Sequence, residues 1–263
     1  MTTSARATRR AVLYDECMSA SKEATTPNDV APPFDWSLWE IDEEEDMGMS
    51  PEHARVMKEV HGAITLLAEE RGWQHAFIST DAFFGWVQDR PNVRVSPDVY
   101  VLFDVPEPLP LSWRTWTSGH TAPAFALEVA SSDRRKEYDV NPVKYDQLGA
   151  TELVIYDPHG LGGPRRGPLS RYLRGKDGEF EAKELNAQAV HSAVLDAGLI
   201  AGENGYGVTL RLSRDAAGTS IVPSFLEAVR EARAEMEVER VERPRLEAEL
   251  ARLRARLNAA TSG

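Results

Sequence analysis

The apolar positions of this chain fall into two rhythms. Between residues 50 and 72 they recur at helical spacing, with Val56, Val60, Ile64 and Leu67 three or four apart, which predicts an amphipathic helix. Ser50-Pro51-Glu52-His53 supplies its start: a serine cap, proline at the first helical position and an acid in the first turn; Gly72 supplies the stop. Aromatic residues and strand formers follow from Trp73 to Val87. Two short continuous apolar runs come next, Ser96-Pro97-Asp98-Val99-Tyr100-Val101-Leu102-Phe103 and Pro123-Ala124-Phe125-Ala126-Leu127-Glu128-Val129-Ala130-Ser131. Their β-branched and aromatic content, bounded by proline and by charge, predicts strands. A short helix over roughly Val140 to Leu148 stops at Gly149, and Leu153-Val154-Ile155-Tyr156-Asp157-Pro158 reads as another strand. Strand, helix and strand in that order imply a right-handed crossover and a parallel pair. Polar, hairpin-like segments continue through Leu212.

The last forty residues differ in kind. From Ser224 to Ala259 the chain is rich in Ala, Glu, Arg and Leu, and Leu246, Leu250, Leu253 and Leu257 are spaced four, three, four, an a/d seam. Pro244 should kink this helix or begin a second one. The favoured reading is a coiled-coil homodimer; the other is one helix folded back on the core. The connection between the two apolar runs, Val105 to Thr121, carries Pro106, Pro108, Pro110, Trp113 and Trp116, and long irregular connections of this kind are often functional. The tryptophans read as packing under the loop, or else as a platform for stacked bases.

The chemistry enters with two acids, Asp98 and Glu128, each placed within an apolar strand run. An unpaired carboxylate in a buried strand costs several kcal/mol or becomes protonated, and two together are worse unless a divalent cation lies between them. Adjacent strands run about 4.8 Å apart, so the two carboxylates can share one ion if the register brings them side by side. Hard oxygen ligands, few in number and completed by water and phosphate, make a magnesium-type site, Mg²⁺ or Mn²⁺.

Composition narrows the remaining choices. The 263 residues can bury one good core with an appended element. The sequence reads as a leader, 1–35, rich in Thr, Ser, Pro and charge and expected to be disordered; a core domain, 36–222; and a helical tail, 223–259. No apolar run reaches the roughly 20 residues of a membrane span, and the polar, basic N-terminus has no secretory apolar region, so the expected location is the cytoplasm. Cys17 is the only cysteine, which excludes an internal disulfide and a multi-cysteine metal site. The net charge is −12, and no basic stripe of the kind that tight DNA binders display is evident. The acid run Asp42-Glu43-Glu44-Glu45-Asp46 reads as a solvated loop, or as a phosphate mimic lying over a cleft.

Pro97-Asp98, followed thirty residues later by Glu128-Val129-Ala130, resembles the PD-(D/E)XK signature, with alanine where the lysine stands. Ser50-Pro51-Glu52-His53, Ser131, Arg135-Lys136, Tyr145, Leu148-Gly149 and Tyr156-Asp157-Pro158 extend the likeness. Together they resemble the bacterial Uma-two endonucleases over roughly residues 36 to 259. The resemblance implies an α/β (α+β) restriction-endonuclease-like fold, with a mixed central sheet flanked by helices and a C-terminal coiled-coil helix. It implies metal-dependent hydrolysis of phosphodiester bonds in DNA, or in a single-stranded nucleic acid. Asp98 and Glu128 would hold the metal, with the Val129 carbonyl as a further ligand. Many members carry a lysine four residues before the tyrosine, where this chain has Asn141. Lys136 is the preferred replacement and Lys144 the second. His53, at the start of the first helix, would lend a polar group to the cleft, or else serve as a capping or surface histidine. The competing expectation is an inactive descendant that binds a protein partner through its tail.

Overall fold

The computed structural model describes residues 49–131, 134–161 and 167–261, with side chains through 258. The leader, Cys17, the acid run 42–46, and residues 132–133 lie outside the described residues. Helix α1 spans Pro51–Glu70, and its start follows the sequence: the His53 N–H donates to Ser50 Oγ at 3.1 Å. Strand β1 (Ala76–Ser79) precedes two short strands, β2 (Phe84–Gly85) and β3 (Arg94–Val95). The acid-bearing runs are β4 (Val99–Phe103) and β6 (Phe125–Val129), with β5 (Trp113–Arg114) between them. After β6 come a π-helical turn, Lys136–Val140, helix α2 (Asn141–Leu148) and strand β7 (Glu152–Tyr156). Strands β8 (Leu169–Arg174) and β9 (Phe180–Ala187) form a hairpin. Strands β10 (Ala189–Ser192), β11 (Ala197–Asn204) and β12 (Gly207–Ser213) make a meander, and helix α3 (Phe225–Thr261) ends the described chain.

Six strands form the central sheet in the order β1-β4-β6-β7-β8-β9. All neighbours are antiparallel except β6 and β7, the parallel pair that the α2 crossover joins. Strands β4, β6 and β7 are buried along nearly their whole length, which is why they read as continuous rather than alternating apolar runs. One face of the sheet, with Val99, Val101, Phe125, Leu127 and Val154, packs under α1 and the β10-β11-β12 sheet. Tyr100, Leu102, Ala126, Leu153 and Ile155 point to the other face, where α2 and the small β3-β2-β5 sheet cover them.

Trp113 belongs to that second core, stacked on Phe84 with ring centroids 6.0 Å apart and its indole N–H 3.4 Å from the Tyr100 hydroxyl. Trp116 lies over Gly85, where a Cβ would meet its ring at 3.3 Å. Both tryptophans therefore pack under the loop. Pro244 neither ends nor divides α3, which is one 37-residue helix. No helix among the described residues is long and apolar enough to cross a membrane.

Candidate active site

Strands β4 and β6 pair with Val99 opposite Leu127 and Tyr100 opposite Ala126. One step further, the same register sets Asp98 opposite Glu128 at the end of the pair, so the two acids share one end of the sheet. Asp98 Oδ2 accepts the Val129 N–H at 2.6 Å. Its Oδ1 lies 3.0 Å from His53 Nε2, an ion-pair contact made off the alignment of a hydrogen bond. Glu128 is buried, and its Oε1 accepts the Tyr145 hydroxyl at 2.5 Å. Burial, and then the Asp98 charge, push its carboxyl well above the usual range, and the Tyr145 hydrogen bond opposes them only in part. The Tyr145 phenol is itself pushed well up by burial and then by the Glu128 charge, so it stays a donor. The His53 imidazole is raised, chiefly by its contact with Asp98, against the lowering effect of its own burial.

The sequence reading missed a third buried acid. Glu137, in the π-helical turn, turns inward rather than into solvent; it accepts from Asn141 Nδ2 at 3.0 Å and Ser131 Oγ at 3.3 Å, and Lys136 Nζ lies 3.7 Å away. Burial raises its carboxyl, with Lys136 opposing. The one signal available was the spacing: Glu137, Asn141 and Tyr145 stand four apart and so share a helix face, which is the face set against Glu128. Tyr145 packs α2 on the sheet, and its hydroxyl also orients the Glu128 carboxylate.

Ala130 is buried in the second core, on the side of β6 that carries Glu128. The strand therefore offers no cation there. Lys136, half exposed, is near enough that its charge lowers both the Glu137 and Glu128 carboxyls. Lys144 is partly exposed and forms no ion pair with either acid among the described residues. Val129 gives its N–H to Asp98, and its side chain lies in the first core. His61 faces the backbone of β1, with Nε2 3.3 Å from the Ile78 carbonyl.

Among the described residues no group of three or more His, Cys, Asp or Glu side chains stands arranged to hold a metal ion. The donors do suit a hard divalent ion that keeps most of its water. Two opposed carboxylates, one of them destabilised by the charge of the other, are the arrangement that an intervening cation relieves.

A mixed sheet covered on both faces, with two acids at the ends of neighbouring strands and a crossover helix behind them, is a restriction-endonuclease-like fold. Proteins of this class generally use divalent metals. Residues 38–200 match the profile of the Uma2 family, described as "Putative restriction endonuclease", and the chain belongs to that family. No curated protein matches it. A solved structure of a "putative nuclease belonging to DUF820" from Anabaena variabilis is 13% identical, covering 56% of this chain and 75% of that one, with a TM-score of 0.40.

Proposed function

We propose that the protein is a divalent-metal-dependent endonuclease that hydrolyses phosphodiester bonds in DNA, a cytoplasmic homodimer joined through α3. The observation that carries this reading is the placement of Asp98 opposite Glu128, both buried and facing one site. Asp98, Glu128 and the Val129 carbonyl would hold Mg²⁺ or Mn²⁺, which when bound lowers the pKa of a water and offsets charge on phosphate oxygens. The chain's own groups do the rest. The Tyr145 hydroxyl fixes one oxygen of Glu128 and leaves the other for the ion. Asp98 is held at both oxygens, Oδ2 by the Val129 N–H and Oδ1 beside His53 Nε2, and would meet the ion through the lone pairs those contacts leave. His53, held beside Asp98, is positioned to shed or take a proton at Nε2. Lys136 supplies the cation that Ala130 does not, facing the charge that builds on the scissile phosphate.

Supercoiled plasmid and single-stranded oligonucleotides, each incubated with Mn²⁺, Mg²⁺ or excess chelator, test the activity. Cleavage that needs the metal and prefers duplex supports the proposal; preference for a single strand would move the substrate class. Lys136→Ala is expected to slow cleavage about 100-fold, whereas Lys144→Ala leaves the rate within about twofold. Equal loss in both variants would remove Lys136 from its role.

A second reading has its own observations. Asn141 is hydrogen-bonded to Glu137 where many family members carry lysine, and Ala130 fills the strand position. A nuclease fold that binds a protein partner through its tail and cuts nothing agrees with both. Metal binding without cleavage of any substrate in the panel would favour it.

A further inference from the structure

Helix α3 carries a heptad register longer than its four leucines. Counting back from Leu257 and Leu253, the a positions are Val229, Met236, Arg243, Leu250 and Leu257, and the d positions are Phe225, Ala232, Glu239, Leu246 and Leu253. The apolar members are mostly exposed, with Met236 at 69%, Leu246 at 63% and Leu253 at 52%. Two charges interrupt the seam, Glu239 and Arg243, and they sit at its middle.

We infer that α3 pairs with a second copy of itself in antiparallel orientation, with the two-fold axis at Val241. This deepens the homodimer reading given above and rests on it. An antiparallel pair sets a positions against d positions. Centred at Val241, it packs Leu257 on the partner's Phe225, Leu253 on the partner's Val229, Leu250 on the partner's Ala232 and Leu246 on the partner's Met236. Every apolar seam residue meets an apolar one. The two interruptions meet each other, Glu239 with the partner's Arg243 and Arg243 with the partner's Glu239, at a separation suited to a salt bridge.

A parallel, in-register pair uses the same seam and gains the same leucine layers, but it sets Glu239 on the partner's Glu239 and Arg243 on the partner's Arg243. Like charges facing each other in a desolvated seam strongly oppose pairing. The flanking positions favour the parallel pair: it brings Glu235 to the partner's Arg240 and Glu249 to the partner's Arg254, against Glu242 on the partner's Glu247. The antiparallel pair brings Arg233 to the partner's Glu247 but Arg240 and Glu242 to their own copies and Glu235 to the partner's Glu249. Exposed pairs of this kind contribute little, and the seam charges, desolvated by the interface, outweigh them. Pro244 falls at an outward position of the repeat, so its ring stays out of the interface. Arg243 bonds Glu247 on its own helix at 3.1 Å, an exposed pair that is cheap to exchange.

The orientation bears on function. Antiparallel helices hold the two Phe225 ends about 48 Å apart at 1.5 Å per residue, with a catalytic domain at each end. A parallel pair would hold the two domains side by side.

The test uses the full chain with Cys17→Ser as background. Light scattering reports the oligomeric state. Leu253→Cys and Val229→Cys chains, carrying different tags, are then co-expressed and oxidised. The expected result is a disulfide between the two different chains, and none when either variant is expressed alone, because each cysteine then lies about 36 Å from its own copy. A disulfide in each variant alone would show parallel helices and overturn the orientation while keeping the dimer. A monomer by light scattering would overturn the dimer itself, and a dimer giving neither disulfide would place the interface elsewhere. Independently, Glu239→Arg should weaken dimerisation at least about tenfold, and adding Arg243→Glu should restore it. Indifference to the single change would also overturn the orientation.

Discussion

Glu152→Ala is expected to destabilise the core domain by about 3–5 kcal/mol, the cost of breaking a buried ion pair by removing one partner. Glu152 opens β7 and is wholly buried. It accepts from Arg171 Nη1 at 3.1 Å, Ser192 Oγ at 2.7 Å, and the Ala193 and Val194 N–H groups at 3.2 and 2.9 Å. One carboxylate thus fastens the turn after β10 to the central sheet and neutralises a buried guanidinium, which Glu184 on β9 also pairs. Removing it leaves Arg171 with a single, half-exposed partner and strands two backbone donors. A change of that size should lower Tm by about 6–20 °C in a domain of this length. Thermal unfolding followed by circular dichroism checks it. A Tm within 2 °C or so of wild type would mean that the network contributes little beyond its own desolvation.

Glu128→Gln is expected to move in the opposite direction in stability while abolishing function. The glutamine keeps the oxygen that accepts from Tyr145 but carries no charge to be buried beside Asp98. Because the folded-state carboxyl of Glu128 is raised above its ordinary value of 4.5, the folded form holds that proton more tightly than the unfolded chain. The resulting stabilisation is fully present below the unfolded value and is lost as pH rises through the folded one. Metal-free wild type should therefore lose stability as pH climbs above the ordinary carboxylate range, and Glu128→Gln should lose less. At pH 8 without metal the variant should melt higher, by about 2–4 °C for each kcal/mol relieved. With Mn²⁺ present the order should reverse, because only wild type gains from binding. Cleavage by the variant should fall to background. A variant that melts lower than wild type without metal would show that Glu128 is a structural acid, paired in the manner of Glu152.

Those two glutamates also mark how far the sequence could be read. The strand runs at Asp98 and Glu128, the serine-capped helix and the β6–α2–β7 crossover followed from periodicity and punctuation alone, because each is a local pattern imposed by burial. Whether the two acids stand opposite each other depended on the register, which the β4–β6 pairing supplies. The premise that a buried strand acid implies chemistry was too broad, however. Glu152 occupies the same kind of position and serves the fold, and what separates them is Arg171, nineteen residues on in the adjacent strand and invisible as a partner until β8 is paired with β7. Glu137 was hidden for a different reason. It stands in a run of charges that reads as solvated, and its four-residue spacing to Asn141 and Tyr145 gains meaning only once the π-helical turn sets it inward, bonded to Asn141. Tyr145 showed its apolar ring in the sequence, but the target of its hydroxyl is a tertiary fact.

The account rests on a metal held between Asp98 and Glu128. Titrating Mn²⁺ calorimetrically into wild type and the double variant Asp98→Ala/Glu128→Ala, with plasmid cleavage run on the same samples, tests that claim most directly. Binding and cleavage by wild type that vanish together in a still-folded double variant are the predicted result. Binding that survives in the double variant, or a wild type that binds no Mn²⁺, would contradict it.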